Sequence, residues 1–73
     1  MVFITPYVNN LRSIRMTEYQ MEPPEFSEML GVGYKAYDHY EHGRRLPPLK
    51  VALKISKALH RYIEDIWPGP YLD

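Results

Sequence analysis

Residues 31–59 read GVGYKAYDHYEHGRRLPPLKVALKISKAL, and the order of turn and helix signals in this stretch sets the expected fold. Gly31 suits a left-handed helix cap, a conformation that a residue without Cβ adopts at least cost. Gly33 or Tyr34 then opens a helix that Gly43 closes. At 100° per residue, Tyr34, Lys35, Asp38 and His42 fall on one side of it, with His39 at the margin. Ala36, Tyr37 and Tyr40 fall on the other. The helix, about residues 33–42, is therefore polar on one face and aromatic on the other. Arg44, Arg45, Pro47 and Pro48 make the loop that follows. Residues 49–60 read as a further helix with Val51, Ala52, Ile55 and Leu59 inward. Lys50, Lys54, Lys57 and Arg61 form a solvated basic stripe beside them, and Leu53 lies off the apolar arc.

Outward from this stretch the same rules give three more short helices. Pro23 fits a first helical position, where its missing N–H costs nothing, and Phe26, Met29 and Leu30 follow at i, i+3, i+4 as a buried face. Asn9 or Asn10 suits an N-cap. Leu11, Ile14 and Arg15 begin a helix of about two turns, and residues 16–22 are the expected connection. Residues 63–67 add a last turn or two, which Pro68 stops. The expected organisation is an N-terminal arm over 1–8, carrying Val2, Phe3, Ile4 and Tyr7, an all-α domain over 9–67, and a tail over 68–73.

Composition narrows what such a domain can do. Apolar residues make up 45% and charged residues 25% of 73 residues, which is a globular balance. A core of this size gives only about 3–5 kcal/mol, so association would help it. The chain has no cysteine, which excludes disulfides and thiolate metal sites. The apolar start is too short for a signal peptide or a membrane span, and the expectation is a cytoplasmic protein with no membrane contact. Net charge is zero, unlike a generic nucleic-acid binder, yet the charge is unevenly spread. Over residues 35–61 seven basic side chains stand against Asp38 and Glu41, whereas residues 16–34 carry Glu18, Glu22, Glu25 and Glu28 and no base. A local positive field attracts phosphate even on a neutral molecule.

Catalytic and metal chemistry find little support. His39 and His42 at i, i+3 could share a face, but no third ligand completes a zinc site. Asp38 and His39 diverge by about 100° around their helix, and no serine or cysteine stands in the context of a nucleophile. The reading is no enzyme, no metal and no cofactor.

The quoted stretch resembles the second half of the helix-turn-helix domain of phage repressors and Cro-like regulators. Tyr40, Glu41, His42 and Gly43 are similar to that family's Tyr-Glu-Asn-Gly. Residues 49–55 resemble Leu-Glu-Leu-Ala-Leu-Lys-Ile, and residues 63–67 resemble Ile-Asp-Asp-Leu-Phe. Ser27 and Gly31 match the small pair that lets the two helices of the motif cross closely, and Tyr37 stands where the family has valine or isoleucine. The resemblance spans roughly residues 9–67. It implies a compact five-helix, lambda-repressor-like domain that places residues 33–42 in the major groove of double-stranded DNA.

Residue by residue, the resemblance puts Tyr34, Lys35, Asp38 and His39 at base-reading positions. Lysine can donate to guanine O6 and N7, and aspartate can accept from cytosine N4. His42, Arg44 and Arg45 fall at phosphate-contacting positions. Arg15 and Glu41 stand where family members carry a structural ion pair. The implied role is a sequence-specific transcriptional regulator, repressor-like, of phage or prophage type and working as a homodimer. Leu53, Tyr62, Ile66, Trp67 and Tyr71 are the expected dimer surface, because aromatic residues are favoured at interfaces.

Two departures from the family pattern support an alternative. Family members often begin the second helix with threonine and glutamine that bind the DNA backbone, and this chain has Glu22, Pro23 and Pro24. The loop before that helix is also about one residue longer. A domain without those phosphate contacts can keep the fold as a protein-interaction module, such as an antirepressor or antitoxin-like partner.

Overall fold

The computed structural model describes residues 8–69, all helix and loop, with no strand among the described residues. Residues 1–7 of the expected arm, and residues 70–73 of the tail with Tyr71, lie outside that range. Five α-helices follow in order: α1 (Leu11–Ile14), α2 (Pro23–Leu30), α3 (Tyr34–Glu41), α4 (Leu49–Leu59) and α5 (Ile63–Ile66).

The segment read as a connection after α1 is partly helical. A π-helical turn over Arg15–Tyr19 continues α1, and the chain breaks away only at Gln20, whose φ of 52° is left-handed. A π turn holds one residue more per hydrogen-bonded ring than an α turn. The extra residue of this segment can thus be taken up inside the helix rather than in the loop.

Three helices end in the same way. After α2, the Gly31 N–H donates to the Glu28 carbonyl and the Val32 N–H to the Ser27 carbonyl, both at 3.0 Å. After α3, Gly43 and Arg44 do the same toward Tyr40 and His39 at 3.1 and 2.9 Å. After α4, His60 and Arg61 donate to Lys57 and Ser56 at 3.3 and 3.1 Å. These are Schellman ends, each with its hinge residue at positive φ. Gly31 (73°) and Gly43 (72°) take that conformation freely, whereas His60 (55°) takes it with a side chain.

Leu11, Ile14, Phe26, Leu30, Tyr37, Tyr40, Ala52, Ile55, Leu59, Ile66 and Trp67 make the core. Phe26 sits between Tyr19 and Tyr37 with ring centroids 5.4 and 5.6 Å away, spacings at which aromatic pairs attract. Met29, expected on the buried face of α2, is exposed. Its neighbour Ser27 is buried instead and donates its hydroxyl to the Pro24 carbonyl at 2.9 Å. A small residue at the crossing of α2 with the rest of the motif leaves no room there for a longer one.

Asn9 and Asn10 tie the start of the domain to its far end. The Asn9 side chain accepts from the Leu11 N–H at 3.0 Å and donates to the carbonyls of Tyr40 and Glu41 at 2.8 and 3.2 Å. Asn10 stands at the N-cap position of α1 but bonds elsewhere: its backbone N–H reaches the Ile66 carbonyl and its side-chain amide the Asp65 carbonyl, both at 2.9 Å.

Candidate nucleic-acid interface

The polar face of α3 is presented by a helix fixed at three places. Its N-terminus follows the Schellman turn at Gly31, and Gly33 is its N-cap residue. At its middle, Tyr37 is fully buried on Phe26 and donates its hydroxyl to Oε1 of Glu41 at 2.7 Å. At its end, the Asn9 amide donates to the carbonyls of Tyr40, which the Gly43 N–H also reaches, and of Glu41. The helix is positioned by its buried side, which leaves the opposite side for contact.

Glu41 is the centre of that anchoring. Arg15 Nε donates to the same Oε1 at 2.8 Å, with 9% and 6% of the two side chains exposed. Arg15 Nη1 also reaches the Met21 carbonyl at 2.9 Å, which fixes the approach to α2. Burial pushes the Glu41 carboxyl up, but hydrogen bonds from Arg15 and Tyr37 outweigh it and hold the group below its ordinary value. Burial and the bond to Glu41 push the Tyr37 phenol far up. The hydrogen bond to Glu41 outweighs burial for Arg15 and raises it further. The three residues form one network with one negative and one positive charge.

On the contact side, Tyr34 and Lys35 are exposed, and Asp38 and His39 are half-buried. The Nδ1 atom of His39 is buried and has no hydrogen-bond partner. His42, Arg44 and Arg45 are exposed past the end of the helix. Of these seven side chains, three come together. Asp38 holds Arg44 Nη1 at 3.3 Å through Oδ2 and His42 Nδ1 at 3.2 Å through Oδ1. His42 meets Asp38 by i, i+4 spacing, and the left-handed turn at Gly43 folds Arg44 back toward the same carboxylate.

The sequence profile of the Cro/C1-type helix-turn-helix family matches residues 11–66, which cover α1 to α5. This chain belongs to that family. Comparison with curated proteins gives no match. The helix-turn-helix family is one of DNA-binding regulators and is not typically enzymatic. The architecture is the lambda-repressor-like one. Among the described residues no helix is long and apolar enough to cross a membrane, and no group of three or more His, Cys, Asp or Glu side chains is placed to hold a metal ion.

Around the motif the charges divide sharply. Glu22, Glu25 and Glu28 stand exposed on or beside α2 of this helix-turn-helix protein. Glu18 is paired with Arg61 across the domain. Lys54, placed by its spacing on a solvated stripe, does something more definite: its Nζ donates to the Gly31 carbonyl at 2.8 Å. A cation there satisfies the C-terminus of α2 and complements the helix dipole. Nothing in the local sequence marks this role, since Lys54 shares its spacing with Lys50 and Lys57.

The expected dimer surface needs correction. Ile66 and Trp67 are core residues, 0% and 6% exposed, so neither can supply the face of a pairing domain. They are buried because α5 packs on α4 and on the chain entering at Asn10. Leu53 and Tyr62 are exposed at 44% and 74%. Exposed Leu46 and Leu49, outside the expected set, join them on the surface. Leu46, Pro47, Leu49, Ala52, Ile63 and Trp67 line an apolar groove of about 290 Å³. The signal for Leu49 was in the sequence, because Leu49 and Leu53 stand at i, i+4 and away from Ile55 and Leu59.

Proposed function

We propose that this protein is a sequence-specific transcriptional regulator that represses by occupying an operator in double-stranded DNA. In this reading α3 enters the major groove with Tyr34, Lys35, Asp38 and His39 at the base edges, and His42, Arg44 and Arg45 lie along the phosphates. The observation that carries it is the exposed polar face of α3 on a helix whose opposite face is locked by Tyr37, Tyr40 and Glu41. A reading helix needs this rigidity, because base contacts discriminate only when the register on the duplex is fixed. The phosphate contacts that relatives take from the start of α2 are replaced here by the basic residues after α3, since Pro23 has no N–H and Glu22 and Glu25 repel phosphate. The protein acts in the cytoplasm as a homodimer, because one such domain spans only a few base pairs. The faces that pair are those of Leu49, Leu53 and Tyr62.

A second reading, a protein-interaction module on the same fold, draws on the exposed Glu22, Glu25 and Glu28. One titration separates the two. Fluorescence anisotropy of a 20-base-pair random-sequence duplex at 50 and 200 mM salt should show binding that weakens steeply with salt, as release of condensed counterions requires. No binding at 50 mM would transfer the fold to the second reading.

A further inference from the structure

Two of the three phosphate-contacting side chains after α3 are held by a carboxylate that belongs to the base-reading face. Arg44 lies 3.3 Å and His42 3.2 Å from the two oxygens of Asp38. The His42 ring is held further by its Nδ1 contact with the Asp38 carbonyl at 2.9 Å. The arrangement is local and built in, because the Schellman end at Gly43 bonds the Arg44 N–H to the His39 carbonyl at 2.9 Å and so folds Arg44 back on the helix. Arg45, one residue on, has no such carboxylate among the described ion pairs.

We infer that Asp38 is a specificity residue that restrains Arg44 from phosphate until the Asp38 carboxylate finds a donor on a base edge. The inference rests on the DNA-binding reading of α3. On a duplex with no donor opposite Asp38, Arg44 can reach a phosphate only by leaving Oδ2 of the carboxylate without its cation beside the backbone, where like charge repels it, and His42 holds only the other oxygen. On a duplex that presents cytosine N4 there, the carboxylate exchanges one donor for another and Arg44 is released. Base contact and phosphate contact then form together, and non-cognate DNA loses both. The Asp38 side chain is 35% exposed and that of Arg44 57%, so water screens the pair and its hold is modest. Arg44 can therefore exchange readily, as a step in binding requires.

The test uses a random-sequence 20-base-pair duplex and the full chain, with Asp38→Asn, Arg44→Ala and the double variant, all checked for helix content. Asp38→Asn should tighten binding to the random duplex about three- to tenfold at 50 mM salt and steepen the salt slope by about one unit. In the Arg44→Ala background the same change should gain less than twofold. After selection from a randomised duplex pool, sites bound by Asp38→Asn should lose the preference at one position that wild-type sites show. A gain of equal size in both backgrounds would reduce Asp38 to a general repulsion of DNA, and no gain would remove the restraint altogether. Either result would overturn the inference while wild-type binding left the DNA reading standing. Failure of wild type and Asp38→Asn alike to bind at 50 mM would end the DNA reading and the restraint with it.

Discussion

Arg15 and Glu41 are 26 residues apart in sequence and 2.8 Å apart in the fold, with both side chains more than nine-tenths buried. The pair joins the π-helical end of the first helix to the end of α3, and Tyr37 completes it from within α3. Removing one partner leaves the other charge buried and unpaired. Arg15→Ala should therefore cost about 3 kcal/mol in urea unfolding, most of what a core this small provides. Replacing both partners, as in Arg15→Met with Glu41→Leu, should cost less than either single change, because no charge is then stranded. A loss below about 0.5 kcal/mol for Arg15→Ala, the scale of surface substitutions, would show that the pair contributes little.

The same network sets the pH range of stability. Glu41 is held below its ordinary value, so its contribution is complete above about 4.3, where the unfolded carboxyl ionises, and is lost as pH falls through the lowered folded value. Tyr37 is held above its ordinary value, so its contribution is complete below about 10 and is lost as pH rises from there. Urea midpoints should thus be flat between these limits and fall on both sides. Tyr37→Phe should flatten the alkaline limb and weaken the acid limb without removing it, because Arg15 still holds the Glu41 carboxyl down. An alkaline limb of unchanged slope in that variant would assign it to other groups.

How far the fold could be read in advance depended on which signals are local. Gly31 and Gly43 ended helices as expected, because a left-handed hinge selects glycine and the sequence displays it. His60 makes the same hinge after α4, and no sequence rule separates it from an ordinary last-turn histidine. Residues 16–19 of the π-helical turn read from sequence as connection, since the slip in hydrogen-bond register leaves no residue pattern behind. Trp67 and Ile66 were placed on a surface because their type suits a core and an interface equally. Met29 was misplaced for a related reason: periodicity gives the direction of a side chain but not the width of the buried arc. In the candidate interface, the two faces of α3 were legible from spacing alone. The contact of Asp38 with Arg44 was not, because it depends on how Gly43 turns the chain.

His60 offers a direct check on that hinge. Its φ of 55° suits glycine better than a residue with Cβ. His60→Gly should stabilise the domain by about 0.5–1 kcal/mol, since the strain removed exceeds the entropy that glycine adds to the unfolded chain. His60→Ala should lie at or below wild type. Calorimetric melting of the three proteins gives the order, and a His60→Gly melting point below wild type would mean that the imidazole makes a contact worth more than the strain.

Lys35 and Arg44 should divide the work of DNA binding between them. Lys35 is exposed on α3 and Arg44 is exposed just past its end; in the proposed reading the first faces the groove and the second the backbone path. Lys35→Ala should relax preference among selected duplexes, at a cost of about 1–3 kcal/mol on the preferred one. Arg44→Ala should weaken the selected duplex more than the random one, where Asp38 already keeps Arg44 from phosphate, and flatten the salt slope on the selected duplex by about one unit. Competition titrations with selected and random duplexes measure both effects. Equal losses for both variants on both duplexes would show that neither residue reads a base.

The homodimer can be tested now that Ile66 and Trp67 are known to be core. Trp67→Ala would damage folding and association together, so it cannot distinguish them. Leu49 is 70% exposed and Leu53 44%, one turn apart on α4, and Leu49 lines the apolar groove at Trp67. A charge at Leu49 should leave the monomer folded, because less than a third of that residue is buried within it. At a paired face the same charge would be desolvated without a partner. Leu49→Glu should therefore convert a dimer to a monomer in light scattering at micromolar concentration, with an unchanged helical spectrum. It should also lower affinity for duplexes carrying two half-sites about 34 Å apart far more than affinity for a single half-site. If wild type and Leu49→Glu are dimers of equal strength, the pairing face lies elsewhere. If wild type is a monomer even with duplex present, a single domain binds alone and operator recognition is confined to a few base pairs.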